Sequence, residues 1–305
     1  MTDTPGTDND STGEYAELGP STPPPRVRLE FAALTHPGLA RENNEDNFVA
    51  ARLSRSIAIE AGSLPVPDDG AGPGSSPPGE GHLILLADGM GGVAGGERAS
   101  ALAVEAVLSF LLHGFRSFLH AERTDEAAIL RELRAGFDRA DRIVLDRATS
   151  DPTLAGMGTT LTMAYGTSTS LYILHAGDSR AYLHRGGELR QVTTDHTLVQ
   201  MMLASGTISA EDAKIHPNRN VVTNVIGGPG EGVHAEVIKI DLRDGDLVLL
   251  CSDGLTEPVD DPTIAAILAR EPDPKAAADA LLREALDRGG PDNITLVLAL
   301  VHVGP

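Results

Sequence analysis

Leu171-Tyr172-Ile173-Leu174-His175-Ala176-Gly177-Asp178-Ser179-Arg180-Ala181-Tyr182-Leu183-His184-Arg185-Gly186-Gly187-Glu188-Leu189-Arg190-Gln191-Val192 holds two kinds of strand signal in close succession. Leu171–Leu174 is a short, wholly apolar run, the mark of a strand buried on both faces. Tyr182–Arg185 and Glu188–Val192 flank Gly186-Gly187, which reads as a hairpin turn. Similar apolar runs occur at Leu83–Ala87, Leu247–Cys251 and Ile294–Val301, while Val27, Leu29, Phe31 and Ala33 alternate as a strand.

Helical periodicity appears between these groups. Leu130, Leu133, Phe137, Ala140 and Val144 step by three and four residues. Asp273-Pro274 reads as an N-cap followed by proline at the first helical position, and Gly289-Gly290 stops that helix. Asp261-Pro262 is expected to open another in the same way. Helices thus come in pairs between groups of strands, not one per strand. That pattern disfavours a doubly wound parallel sheet and favours a layered α+β domain.

Residues 1–26 are polar, acidic and rich in Pro, Ser and Thr, and are expected to form a disordered tail. Residues 27–303 are expected to form a single domain, with a Gly/Pro/Ser-rich surface loop at 62–81.

Acids terminate the buried strands. Leu83–Ala87 runs into Asp88-Gly89, Leu171–Ala176 into Gly177-Asp178, and Leu247–Cys251 into Ser252-Asp253-Gly254, while Pro291-Asp292-Asn293 precedes the last strand. One Asp-Gly alone is a turn signal, and Asp69-Gly70 is given no other role. Four acids at neighbouring strand ends repel one another and require positive charge. All-oxygen ligation suits Mg2+ or Mn2+, and zinc is disfavoured because HExxH and Cys/His patterns are absent. A further acidic cluster, Arg41-Glu42-Asn43-Asn44-Glu45-Asp46-Asn47, reads alone as a solvated charged turn. Beside the strand-end acids, Arg41 would supply the only fixed cation, a fork matched to phosphate oxygens. Divalent ions, arginine and water together point to metal-assisted phosphoryl hydrolysis.

Composition narrows the class. The 305 residues carry 24 Lys plus Arg against 44 Asp plus Glu, a formal charge of −20. Such a chain is ill suited to clamp nucleic acid or an anionic membrane surface. It has no Trp and only 3% aromatic residues, which removes base-stacking platforms. Apolar runs fall short of the roughly 18 residues of a membrane span, and the N-terminus does not read as an export signal. The single cysteine, Cys251, excludes an internal disulfide framework and fits a reducing, cytoplasmic setting. It lies within an apolar run, where burial raises a thiol pKa, so it is a poor nucleophile.

Six motifs occur in order: Arg41-x-x-Asn44-Glu45-Asp46, Ala87-Asp88-Gly89-Met90-Gly91-Gly92, Gly156-Met157-Gly158-Thr159-Thr160, Gly177-Asp178-Ser179-Arg180, Ser252-Asp253-Gly254 and Gly290-Pro291-Asp292-Asn293. Together they resemble the metal-dependent serine/threonine protein phosphatases of the type-2C, or PPM, family in its bacterial branch. The resemblance implies a four-layer α-β-β-α sandwich of two antiparallel sheets flanked by helix pairs. It implies two tightly held Mn2+ or Mg2+ ions, with Asp88, Asp253 and Asp292 as ligands, Asp88 bridging, and Gly89 lending its carbonyl. Glu45 and Asp46 would act through metal-bound waters, and Arg41 would bind phosphate. Asp178 and Glu257 fall where the family can build a third, weaker site with Asp253. Thr159 and Thr160 are read as structural.

The reaction so implied is hydrolysis of phosphoserine and phosphothreonine in proteins by a metal-bridging water, without a phosphoenzyme. The partners implied are phosphorylated proteins and a cognate serine/threonine kinase, and the chain is expected to be a monomer. Met90 stands where eukaryotic members often carry a histidine, leaving the general-acid role without an occupant. Residues 195–232 resemble the family's flap, with a short helix ending at Gly206 and a cap at Ser209; His196 is read as a helix-entry residue. His113 and His120 are read as ordinary surface or core side chains. Two other functions stay open: a phosphoesterase acting on a small phosphorylated molecule, and a pseudophosphatase that only binds.

Overall fold

A computed structural model describes residues 26–53, 57–63, 81–114, 126–167, 169–228 and 232–304. Residues 1–25 of the expected 1–26 tail, almost all of the 62–81 loop and His120 lie outside the described residues, Arg26 belongs instead to the first strand, and His113 is placed by its backbone only.

The chain begins with strands β1 (Arg26–His36), β2 (Asp46–Leu53), β3 (Ile57–Gly62) and β4 (Gly81–Met90), then helices α1 (Gly92–Gly114) and α2 (Glu126–Ser150). Strands β5 (Gly158–Thr159), β6 (Leu161–Gly166), β7 (Ser170–Ala176), β8 (Arg180–Arg185) and β9 (Glu188–Gln191) lead to the short helices α3 (Leu198–Ala204) and α4 (Ala210–Ile215). After β10 (Glu236–Asp241) and β11 (Leu247–Cys251) come α5 (Asp253–Thr256), α6 (Asp261–Arg270), α7 (Pro274–Asp287) and β12 (Ile294–Gly304). One sheet has the order β1-β12-β11-β8-β9; the other runs β10-β7-β6-β4-β2-β3, with β5 attached to β4. The pairings are antiparallel, as in β1 with β12 and β4 with β6.

Three apolar layers hold these elements together. Phe48, Ile84, Leu86, Ile173, Leu183, Leu250 and Val297 fill the space between the sheets. Leu83, Leu85 and Leu174 face outward onto Val104, Val107, Leu133 and Phe137 of α1 and α2. Leu249, Leu296 and Leu298 face the other way onto Ile264, Leu268 and Leu281 of α6 and α7. The expected four-layer α+β sandwich is therefore what forms. Burial of each large side chain contributes roughly 1.5–3 kcal/mol. Burial on both faces is why the central strands read as unbroken apolar runs.

Local signals act as the sequence leads one to expect at most element ends. Gly186 and Gly187 adopt φ of 59° and 85° in the β8–β9 hairpin, the left-handed pair such a turn demands. Asp273 caps α7 by accepting from the Ala276 amide at 2.7 Å. The expectation for α6 is off by one residue. Asp260, not Asp261, is its N-cap, accepting from the Thr263 amide. Asp261 occupies the first turn, and its carboxylate accepts instead from the Tyr182 hydroxyl at 2.9 Å.

Side-chain parity fixes where the site lies. Along β4, Leu83, Leu85 and Ala87 face the helices while Ile84 and Leu86 face the opposite sheet. A period of two places Asp88 on the inner face. In β2, Phe48 and Ala50 face inward, so Asp46 does too. The two acids oppose each other directly in the β2–β4 register. Carboxylates thus meet at one end of the space between the sheets, where the apolar filling stops.

Candidate metal centre

Asp46 is nearly fully buried. Its Oδ2 accepts from the Ser252 hydroxyl at 2.8 Å, while Oδ1 is buried without a hydrogen-bond partner. Asp88 is clamped through its main chain. Its amide donates to Thr160 Oγ1 at 3.0 Å, and its carbonyl accepts from the Thr160 amide and the Thr159 hydroxyl, each at 2.8 Å. Thr159 and Thr160 therefore hold the Asp88 backbone, in keeping with a structural reading.

The Asp-Gly pairs serve tight packing and are not turns. Neither Gly89 nor Gly254 has positive φ. A Cβ on Gly89 would collide with the Gly96 carbonyl, and one on Gly254 with the Asn293 carbonyl. Only glycine lets the strand end of Asp88 approach α1, and α5 with its first residue Asp253 approach the segment carrying Asp292.

Asn293 ties that segment to the acidic cluster. Its side-chain amide donates to the carbonyls of Pro37 and Asn43 at 3.0 and 2.8 Å, and its Oδ1 accepts from the Glu45 amide at 2.7 Å. Arg41 donates to Asp292 Oδ2 at 2.7 Å from a side chain that is 56% exposed.

The electrostatics show that the acids share one field. Burial pushes the Asp46 carboxyl up to about 7, with Asp292 adding to the rise and the Thr295 and Ser252 hydrogen bonds opposing it. Asp88 is raised well above the carboxylate range by burial, then by Asp46, Asp253, Asp178 and Asp292. Asp253 is raised likewise by burial, Asp178, Asp292, Glu257 and Asp46. Burial and Asp195, with a further push from Glu257, lift Asp178 to about 6. Glu45 is raised by burial, and Arg41 opposes the shift. Massed carboxylates with an orphaned inward oxygen and, among the described residues, no neutralising lysine or histidine fit hard divalent cations.

Arg41 is not the only cation beside these acids. Arg180 also lowers the Asp178 carboxyl, but its guanidinium is committed. It forms a bidentate pair with Asp195, with distances from 2.7 to 3.1 Å, and donates to the Tyr182 hydroxyl at 3.1 Å. Among the described residues, Arg41 is therefore the cation left at the solvent side of the cluster, where it pairs with Asp292.

A second group gathers beside this one. Ligand atoms of His175, His196 and Glu236 all lie within 4.8 Å of one another. Their hydrogen bonds are already committed. His175 Nε2 donates to the Gly177 carbonyl at 3.0 Å and Nδ1 accepts from the Thr162 hydroxyl at 2.9 Å. Both Glu236 oxygens accept from Thr194. Burial holds His175 at about 3, a neutral imidazole fixed within the scaffold.

The sequence profile of the protein phosphatase 2C family matches residues 64–287. The chain belongs to the protein phosphatase 2C family. It is 35% identical over 272 residues to the serine/threonine protein phosphatase PstP of Mycobacterium tuberculosis, covering 89% of this chain and 45% of PstP. The chain thus spans about half the length of that relative. It is 30% identical over 276 residues to protein phosphatase PhpP of Streptococcus pneumoniae, covering 90% of this chain and 98% of PhpP. The catalytic domain of PstP in complex with two manganese ions superposes with a TM-score of 0.69 at 34% identity, covering 90% of this chain and 99% of that one. An S. agalactiae serine/threonine phosphatase gives 0.73 at 28% identity, with the same coverage.

Within this protein phosphatase 2C fold, Arg41, Glu45, Asp46, Asp88, Gly89, Asp178, Asp253, Glu257 and Asp292 all come to one end of the sandwich. Glu257 caps α5, its amide bonded to the Asp253 carbonyl at 2.7 Å. Cys251 is fully buried in β11, and burial pushes its thiol up to about 12. Ser252 and Asn293 were not singled out from sequence. The available signal is their position next to Asp253 and Asp292, where a small polar side chain can bond across segments.

Proposed function

We propose that this chain hydrolyses phosphoserine and phosphothreonine esters in proteins. The observation that carries the reading is the convergence of Asp46, Asp88, Asp253 and Asp292 in one buried field with the inward Asp46 Oδ1 unpaired. Asp88, the Gly89 carbonyl, Asp253 and Asp292 would hold two Mn2+ or Mg2+ ions, with Glu45 and Asp46 acting through coordinated water. Asp178 and Glu257 would complete a weaker third site with Asp253. Such ions supply a nucleophile at neutral pH and stabilise charge developing on phosphoryl oxygens.

The protein's own groups do the rest. Arg41, held at the rim by its bond to Asp292, would offer its guanidinium fork to phosphate oxygens. Thr159 and Thr160 keep Asp88 in place. Residues 27–303 act as the catalytic unit, as a cytoplasmic monomer opposing a serine/threonine kinase. Among the described residues, no helix is long and apolar enough to cross a membrane.

Initial rates on a phosphothreonine peptide, on nucleotides and on small phosphoesters, with Mn2+ and with EDTA, test the reading. The peptide is expected to turn over fastest, with reversible loss of activity in EDTA. Faster nucleotide hydrolysis would move the function to a small phosphorylated molecule.

Arg41→Ala should raise KM for phosphosubstrates more than it alters metal binding. A charge-assisted contact of about 1.5–3 kcal/mol is lost. Steady-state kinetics beside a calorimetric Mn2+ titration check this, and loss of the metals instead would make Arg41 structural.

A further inference from the structure

Asp178 reaches the acid cluster from a turn that other residues hold. Gly177 precedes it with φ of 123°, and a Cβ there would collide with Thr160. His196 grips Gly177 twice. Its amide donates to the Gly177 carbonyl at 2.7 Å, and its Nδ1 accepts from the Gly177 amide at 3.2 Å. His175, stacked on His196 with ring centroids 4.9 Å apart, donates to the same carbonyl.

The grip extends to the far end of the 195–234 segment. Asn224 Nδ2 donates to His196 Nδ1 at 3.0 Å and to the His234 carbonyl at 2.8 Å, while Asn224 Oδ1 accepts from the His234 amide at 3.0 Å. With Nδ1 accepting from two donors, the imidazole carries its proton on Nε2. Burial lowers its pKa and keeps that acceptor available.

We infer that His196 is a positioning residue, whose Nδ1 holds the Gly177 amide and thereby fixes the turn that delivers Asp178 to the acids. The inference rests on the reading of Asp178 as a ligand of the weaker site. It joins the segment carrying α3 and α4 to that site by two hydrogen bonds to one residue, Gly177.

Two substitutions separate the acceptor from the ring. His196→Phe keeps a ring to stack on His175 but has no acceptor. His196→Asn places Oδ1 two bonds beyond Cβ, where Nδ1 stood. In the full-length protein, amide hydrogen exchange at Gly177 should quicken about tenfold in His196→Phe, as expected for one lost hydrogen bond. It should stay near wild type in His196→Asn. Calorimetric Mn2+ titration should show the weak binding event weakened by about 10–100-fold in His196→Phe, the range seen when a group orienting a ligand is removed. His196→Asn should restore it. Adding His196→Phe to Asp178→Ala should slow phosphopeptide turnover no further than Asp178→Ala alone, since both act at one point.

An unchanged Gly177 exchange rate in His196→Phe, or additive losses in the double variant, would overturn the inference. If Asp178→Ala abolishes the weak event but His196→Phe retains it, positioning fails while the third site stands. If Asp178→Ala retains the weak event, the third-site reading fails, and Gly177 exchange still decides whether His196 holds the turn. A fall in melting temperature common to both His196 variants, with no difference between them in exchange or titration, would reduce His196 to a packing residue.

Discussion

Asp88→Ala is expected to abolish turnover, and Asp253→Ala to do the same. Each removes a carboxylate on which the shared field depends. Asp88 responds to Asp46, Asp253, Asp178 and Asp292, and Asp253 to nearly the same set. Without one of them the site is too poor in oxygen donors for ions that need about six. Melting curves should reveal the loss independently. Wild type should gain stability on adding Mn2+, through preferential binding to the folded state, and the variants should not.

The metal-free protein should behave in the opposite sense. In the folded state Asp46 titrates at about 7 and Asp178 at about 6, against an unfolded value of 3.8. Between those values the folded chain holds more protons than the unfolded one, so stability falls as pH rises from about 4 to 7. Asp88→Ala removes a carboxyl that burial itself raises well above its ordinary value, so it should flatten that decline while destroying activity. More than a few per cent of activity under excess Mn2+ would argue against the ligand assignments.

Asp178→Ala should leave two tight Mn2+ ions bound and the fold intact, yet sharply lower phosphopeptide turnover. The competing account makes Asp178 a mere turn closure at Gly177-Asp178-Ser179. Other groups already close that turn. Thr160 Oγ1 lies 2.8 Å from the Ser179 hydroxyl, and His196 and His175 hold Gly177. Removing a buried carboxylate that burial and Asp195 disfavour should therefore cost no stability in the metal-free state. Turn closure predicts a lower melting temperature and proportionate loss of every activity. Calorimetric titration and melting curves beside the phosphopeptide rate separate the two. Normal stability, metal count and turnover together would remove the third site.

Much of the fold was legible because its rules are periodic. Both-face burial made β4, β7, β11 and β12 read as apolar runs, and α2 showed its helical spacing. The acids were legible because they end those runs. What escaped was contact between segments far apart in the chain. Ser252 reaches Asp46 and Asn293 reaches Asn43, and no local pattern announces either bond. Asp260 was missed as the α6 cap because two aspartates stand side by side before Pro262. Tyr182, close only in the folded protein, decides which of them is free to cap. The bond from Arg41 to Asp292, 251 residues away, was likewise invisible in the sequence.

The last strand, β12, lies between β1 and β11, not at the sheet's edge, and its lead-in carries Asp292 and Asn293. It pairs along its whole length with β1, from His36 with Ile294 to Arg26 with Gly304. Contacts of such sequence separation form late and slowly. During synthesis, a nascent chain that has emerged only as far as Cys251 already displays Asp46, Asp88 and Asp178. It leaves β1 and β11 as two unjoined ribbons and the Arg41 loop without its anchor at Asn293. The acid cluster is complete only once Asp253 and Asp292 have followed and β12 lies between β1 and β11. Until then the inner edge of β1 lies open, the kind of unpaired strand edge that other chains and chaperones can engage.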